Sequence, residues 1–333
     1  MMKKVVWGVL STARIGLNRV LPGMMKSPWC EIRAIASRSE ASARKAAESL
    51  GIPKAYGSYE ALLADPEIEA IYNPLPNHLH VPWTLNAARA GKHVLCEKPI
   101  ALTAEEAAAL RTLPREIHVV EAFMVRFHPQ WTRARELLRA GEAGALRAIQ
   151  VFFSYNNTDA ANIRNIVDLG GGALYDIGCY PIVAGRFFFE HEPKRAVALM
   201  DRDPAFRTDR LTSAVLDFGG GRQLAFTVST QCTPYQRIQL CGSKRRIEIR
   251  IPFNPPQGRA TRILIDDGSS LAGAGIRSET IPASDQYLLQ GEAFSRAVRG
   301  ELALPYGIDD AIANMRVIDA LFRSENSGRW EDV

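Results

Sequence analysis

Short apolar runs alternate with amphipathic stretches through the first third of the chain. The runs at 4–10, 30–37, 68–73, 93–96 and 118–121 predict strands, and the stretches at 15–26, 40–50, 82–90 and 104–112 predict helices. The strand segments lack strict alternation of apolar and polar positions, as in a parallel sheet covered on both faces. Strand–helix alternation of this kind predicts a doubly wound α/β domain. The pattern changes after Pro129. A helix at 131–140 is followed by strands at 146–155, 195–200, 213–218, 223–230, 236–241, 246–251 and 262–266, several joined by turn-rich pieces such as Phe218-Gly219-Gly220-Gly221-Arg222. Consecutive strands with tight turns predict an antiparallel sheet, with helices inserted at 174–189 and 286–299. A last helix at 309–324 follows Pro305, and 268–275 is the best candidate for a flexible loop.

A length of 333 residues suits two domains, at ~150 residues each. The hydrophobic share of 47% and charged share of 23% are those of an ordinary globular protein, which disfavours disorder. The net charge of +5 comes without a long basic run or an aromatic-interleaved basic stripe, so nucleic acid is not expected as partner. The five cysteines are scattered and show no CxxC pair, which predicts a reduced, cytoplasmic protein without structural zinc. Met1-Met2-Lys3-Lys4 leads directly into a strand with no small-residue cleavage site, and no apolar stretch reaches the ~20 residues of a membrane span. No signal peptide and no membrane association are expected.

The turn after the first strand, residues 8–16, is the first candidate for chemistry. A dinucleotide turn needs small residues where the chain bends, where its backbone nears a pyrophosphate, and where the helix packs on the sheet. Ser11, Ala13 and Gly16 hold these places, so only the last is glycine. The helix N-terminus at Ser11, Thr12, Ala13, Arg14 and Ile15 would offer its amides to phosphate. Roughly twenty residues further on, an NAD site would place a carboxylate on the ribose 2′-hydroxyl. This chain has Ser37-Arg38-Ser39 there. A guanidinium suits a 2′-phosphate, so NADP is expected over NAD; otherwise Arg38 is a solvated loop residue.

Three more segments complete the picture: Tyr72-Asn73-Pro74-Leu75-Pro76-Asn77-His78-Leu79-His80, Cys96-Glu97-Lys98-Pro99, and Gly170-Gly171-Gly172-Ala173-Leu174-Tyr175-Asp176-Ile177-Gly178-Cys179-Tyr180. With these, the chain resembles the glucose–fructose oxidoreductase/inositol dehydrogenase (Gfo/Idh/MocA) family over nearly its whole length. The resemblance implies a Rossmann-type dinucleotide-binding domain at 1–125, an α+β substrate-binding and oligomerisation domain with a large, mainly antiparallel open sheet at 126–305, and a C-terminal helix at 306–333 returning to the first domain. Glu121-Ala122-Phe123-Met124-Val125-Arg126-Phe127-His128-Pro129 and Asn162-Ile163-Arg164 look most like NADP-dependent aldose dehydrogenases and trans-dihydrodiol dehydrogenases. Tyr180 stands where inositol dehydrogenases carry histidine.

The implied reaction is hydride transfer between the nicotinamide and a CH–OH or C=O carbon of a sugar or cyclic polyol. A phenol, with an ordinary pKa near ~10, needs a nearby cation to take the hydroxyl proton at neutral pH. Lys98 would supply that charge to Tyr180 while bonding the nicotinamide ribose, and Asp176, four residues earlier, would accept a substrate hydroxyl. Pro181 requires the helix to kink or to begin close by. Leu75, Asn77, His80 and Glu97 would line the cofactor, with His80 capping the loop that faces the nicotinamide; Arg126 and Arg164 would contact substrate or NADP. Asn73, Pro74 and Pro76 would shape the loop. Structural alternatives stand beside these: Tyr180 as a core aromatic, Asp176 as a helix cap, the two arginines in surface salt bridges. The histidines and carboxylates lack metal-ligand spacing, so no metal is expected. The resemblance also implies a homodimer or homotetramer through the C-terminal sheet. A non-catalytic NADP-binding regulator is the reading from a different class.

Overall fold

The computed structural model describes residues 3–333, which form two compact units. The first unit takes the chain up to Met124 together with Asp285–Met315. Its strands are β1 (Val5–Leu10), β2 (Cys30–Ala36), β3 (Lys54–Tyr56), β4 (Ala70–Asn73), β5 (His93–Cys96) and β6 (Val119–Glu121). They form one parallel sheet of order β3-β2-β1-β4-β5-β6. This is the doubly wound dinucleotide-binding order, whose reversal falls between β1 and β4. Every residue of β1 and β4 is buried, which explains their uninterrupted apolar character.

Local signals start and stop the helices. Ser39 accepts the Ser42 N–H ahead of Glu40–Leu50, and Gly51 closes that helix in the left-handed conformation. The predicted 15–26 helix consists of a π-helical turn, Gly16–Val20, and a short α-helix, Leu21–Met24. Pro22 lies at the junction, where a missing N–H and a bulky ring are least disruptive. β3 and the short helix Tyr59–Leu63 were not expected from the pattern; both are too brief to show a period.

Helix Gln286–Val298 divides the expected 126–305 segment, because it packs within the first unit. Ser295 accepts the Trp7 indole N–H at 3.1 Å, and Gly23 approaches so closely that an added Cβ would lie 2.9 Å from Tyr287 Cβ. The last helix runs Ile308–Ser327; residues through Met315 belong to the first unit and Arg316–Val333 to the second.

The second unit, Val125–Ser284 with Arg316–Val333, holds β7 (Leu146–Asn156), β8 (Arg195–Arg202), β9 (Asp209–Gly219), β10 (Arg222–Ser229), β11 (Gln231–Gly242), β12 (Arg246–Ile249), β13 (Thr261–Asp266), β14 (Ile276–Ile281) and β15 (Glu331–Asp332). They make a nine-stranded sheet of order β14-β13-β12-β11-β7-β10-β9-β8-β15. Its pairs are antiparallel except β7 with β10, which run parallel. β14 escaped sequence detection because it is a polar edge strand, mostly exposed, and residues 268–275 form its connection to β13. The wholly buried helix Cys179–Phe189 covers one face, where Gly185 lets it settle onto Phe218 and Leu224. On the other face, Arg237, Phe152, Thr227, Ser213 and Leu199 form one row across five strands. Leu199 is 77% exposed there.

Candidate active site

In the first unit, the loops after β1, β2, β4 and β5 carry the expected cofactor residues. Ser11 has φ +81°, a left-handed conformation that favours glycine and explains why glycine is usual at this place in a nucleotide turn. Its backbone N–H donates to Ala36 O at 2.9 Å, while its Oγ accepts the Ala13 N–H at 3.3 Å and donates to Pro74 O at 3.4 Å. Local hydrogen bonding thus supports a serine where the sequence lacks the glycine. Gly16 packs beside Tyr72 and Pro74, where a Cβ would meet the Tyr72 ring at 3.4 Å, an ordinary contact distance. Ser11, Thr12, Ala13 and Ile15 are partly exposed, and Arg14 is exposed.

Ser37 and Arg38 follow β2, with Arg38 exposed. Arg38 approaches the Tyr59 phenol, whose pKa is raised by burial and drawn down by that guanidinium. The Tyr59 ring is in turn held edge-on by Trp83 at 4.9 Å.

Asn73, fully buried, organises the loop after β4. Its Nδ2 donates to His80 O at 3.2 Å and to Thr84 Oγ1 at 3.3 Å, and its Oδ1 accepts the Leu75 N–H at 3.3 Å. His80 secures the same loop through its ring. It is 1% exposed, with Nδ1 2.7 Å from Pro99 O and Nε2 2.7 Å from Leu75 O. Both ring nitrogens face backbone carbonyls, and the neutral ring donates its single N–H to one of them, tying it to the Leu75 loop or to the Lys98-Pro99 turn. Burial pushes its pKa down to about 4, against the pull of the two carbonyls. Leu75 is also buried, whereas Asn77, Glu97 and Lys98 are partly exposed. The buried Tyr72 hydroxyl donates to Glu97 Oε1 at 2.8 Å. Burial and the Glu97 charge raise the Tyr72 pKa, and burial followed by the same charge raises that of Tyr287.

In the second unit, the glycine run opens a π-helical turn, Leu174–Gly178, that continues into Cys179–Phe189. Pro181 therefore lies in the first turn of a regular helix, directly after the π turn. Asp176 does not cap this segment. Its Oδ2 accepts the Tyr155 hydroxyl at 2.6 Å and pairs with Arg164 Nε at 2.9 Å. The Asp176 charge raises the Arg164 pKa, and burial followed by that charge raises the Tyr155 pKa. Tyr155, Arg164 and Asp176 form one polar cluster, and the Tyr180 phenol lies within electrostatic reach of Arg164. The Tyr180 ring packs against Phe253 at 5.4 Å and Phe153 at 5.9 Å. Arg126, 5% exposed, lies in the Met124–Phe127 turn. Tyr155 was not singled out in the sequence: an aromatic near a strand end carries no signal of its partner.

Among the described residues, no group of three or more His, Cys, Asp or Glu could hold a metal ion, and no helix is long and apolar enough to cross a membrane.

Two family descriptions match: an oxidoreductase family, NAD-binding Rossmann fold, over residues 5–127, and a GFO/IDH/MocA C-terminal domain over 131–248. The chain belongs to the GFO/IDH/MocA oxidoreductase family. It is 47% identical to an uncharacterized oxidoreductase of Rhizobium meliloti, with 100% of both chains covered. It is 39% identical to D-xylose 1-dehydrogenase (NADP(+)) 2 of Haloferax volcanii, covering 97% of this chain and 98% of that one. Among solved structures, a 3-ketoreductase from Actinomadura kijaniata in complex with NADP and TDP-benzene superposes with a TM-score of 0.90 at 29% identity, covering 97% and 98%.

Proposed function

We propose that this oxidoreductase is NADP-dependent and moves a hydride between the nicotinamide and a CH–OH or C=O carbon of an aldose or keto-sugar. The polar cluster of Tyr155, Arg164 and Asp176, with the Tyr180 phenol within electrostatic reach of Arg164, carries the reading. A carboxylate held by a phenol and a guanidinium, beside a second phenol, supplies the directional acceptors and donors that a polyhydroxylated ring requires.

The first unit fits the cofactor. Its strand order provides the crevice at the β1/β4 reversal, Ser11 adopts the turn conformation, and Arg38 is exposed at the end of β2 to meet a 2′-phosphate. NADP, when bound, supplies the hydride acceptor or donor. The turn Ser11, Thr12, Ala13, Arg14 and Ile15 would hold the pyrophosphate, and Leu75, Asn77, Glu97 and Lys98 the nicotinamide half. Tyr180 holds or returns the hydroxyl proton at its phenolic oxygen, Lys98 lowers the cost of the phenolate, and Asp176 orients the ring through a substrate hydroxyl. Arg164 fixes Asp176 and Arg126 completes the polar lining. The xylose dehydrogenase and ketoreductase relatives support a sugar in either redox direction.

The uncovered face of the nine-stranded sheet exposes the apolar side chains Phe152 (37%) and Leu199 (77%), which supports self-association through that face. The function is tested by steady-state assays with NADP⁺ and NADPH against aldoses, keto-sugars and trans-dihydrodiols. Turnover of a sugar supports it. Turnover of dihydrodiols alone would assign the other branch, and tight NADPH binding without any turnover would mark a regulatory protein.

A further inference from the structure

We infer that Asp209 is a positioning residue for the proposed reaction: its carboxylate seats the segment bearing Asp176 and Tyr180 and the loop bearing Arg164. The inference rests on the function proposed above. Asp209 opens β9, distant in sequence from the glycine run and from Arg164, and is 1% exposed. Its Oδ2 accepts the Leu174 N–H at 2.7 Å and the Thr212 hydroxyl at 2.8 Å. Leu174 begins the π-helical turn that carries Asp176 and leads into Tyr180.

Its other oxygen explains the glycine run. A Cβ on Gly172 would stand 2.0 Å from Asp209 Oδ1, and Gly172 has φ +121°, so only glycine lets the backbone wrap the carboxylate. The Gly172 N–H donates to Arg164 O at 2.9 Å and its carbonyl accepts the Asp176 N–H at 3.0 Å. Gly171 donates to Ile166 O at 3.0 Å, and a Cβ there would lie 2.6 Å from Arg164 O. One carboxylate thus fastens the helix start, while the glycines beside it grip the loop whose guanidinium holds Asp176.

A buried carboxylate without an ion pair is costly, and a fold retains it only where its hydrogen bonds do specific work. Among the described residues Asp209 has no salt-bridge partner. The charged and titratable groups facing it are Arg202 and Tyr155, and Arg202 is itself bidentate on Glu325 at 2.7 and 2.6 Å. Burial raises the Asp209 pKa to about 6. As pH falls through that value the acid form loses its charge-assisted grip on the Leu174 amide, and the segment loosens.

The test is Asp209→Asn in the full-length protein. With a sugar that the wild type turns over, kcat at pH 8 is expected to fall roughly tenfold or more, with sugar KM changed far less and NADPH affinity retained. The wild-type kcat profile is expected to show an acid limb at about 6 that the variant lacks. Wild-type kcat in the variant, or an unchanged acid limb, overturns the inference. Amide hydrogen exchange over residues 172–180 provides a readout without turnover. Protection in the wild type should drop as pH passes below about 6 and should be low at every pH in the variant. Constant wild-type protection across that range overturns the inference even if no sugar is a substrate, a result that would separately defeat the functional reading.

Discussion

Arg164 Nε lies 2.9 Å from Asp176 Oδ2, the same oxygen that accepts the Tyr155 hydroxyl at 2.6 Å. Two donors on one carboxylate oxygen fix the carboxyl plane, so Asp176 is aimed before any substrate arrives. Preorganisation of this kind lowers the ordering cost at binding and at the transition state.

Removing one donor should therefore cost function while leaving the fold intact. Tyr155→Phe deletes a hydrogen bond to a charged group, worth about 1.5–3 kcal/mol, and leaves Arg164 in place. The expected result is a fall of roughly tenfold or more in kcat/KM for the sugar, with unchanged NADPH affinity. Unaltered kcat/KM would show that Asp176 needs no such aiming.

Arg38 governs the choice of cofactor in this account. Arg38→Ala should raise the NADPH Kd by about 2 kcal/mol, roughly thirtyfold, and leave NADH binding nearly as before. Fluorescence titration with both nucleotides checks this. Equal losses for the two would place Arg38 away from the 2′-phosphate, leaving it with Tyr59 alone.

The strand–helix alternation predicted a doubly wound domain and five of the six strands of its parallel sheet, because each of those five is an apolar run between clear turns, whereas β3 is too brief to show one. The turn chemistry was legible too, but the reason Ser11 suffices lies in its hydrogen bonds to Ala13 and Pro74, the second of which bridges loops distant in sequence. His80 shows the converse. A lone histidine in a loop looks available for chemistry, yet burial and two carbonyls assign it to the backbone. The group that needs a glycine at 172 is the Asp209 carboxylate, which lies on another strand and leaves no local sequence signal. Tyr155 and Asp176 meet only through the packing of a helix on a sheet, a relation that carries no sequence period.

Acid should weaken the fold partly through His80. Its pKa is about 4 in the folded protein against an ordinary 6.5. As pH falls from 6.5 toward 4, the unfolded chain takes up a proton that the folded chain refuses, so stability is lost with falling pH. The contribution is up to about 2 kcal/mol at pH 5. Urea midpoints at pH 7.5 and pH 5 should differ less in His80→Gln than in the wild type. An equal difference would mean that His80 is protonated in the fold, shared between its two carbonyls.

The uncovered sheet face makes a separate prediction. Leu199→Asp places a charge at the β8 end of the row, on its most exposed apolar side chain, and should shift sedimentation velocity from a dimer or tetramer toward the monomer, with the Tm of the monomer little changed. A wild-type chain that sediments as a monomer at micromolar concentration would contradict self-association through this face.

The most direct test of the central claim is a double-mutant cycle on kcat between Lys98 and Tyr180, run with NADP and the preferred sugar. Groups that serve one proton transfer are strongly non-additive. Lys98→Met and Tyr180→Phe should each lower kcat by ~10²–10⁴-fold, the double variant little further, while Tyr180→Phe still binds NADPH. Losses that multiply in full, or a Tyr180→Phe enzyme that turns over like the wild type, would contradict the account.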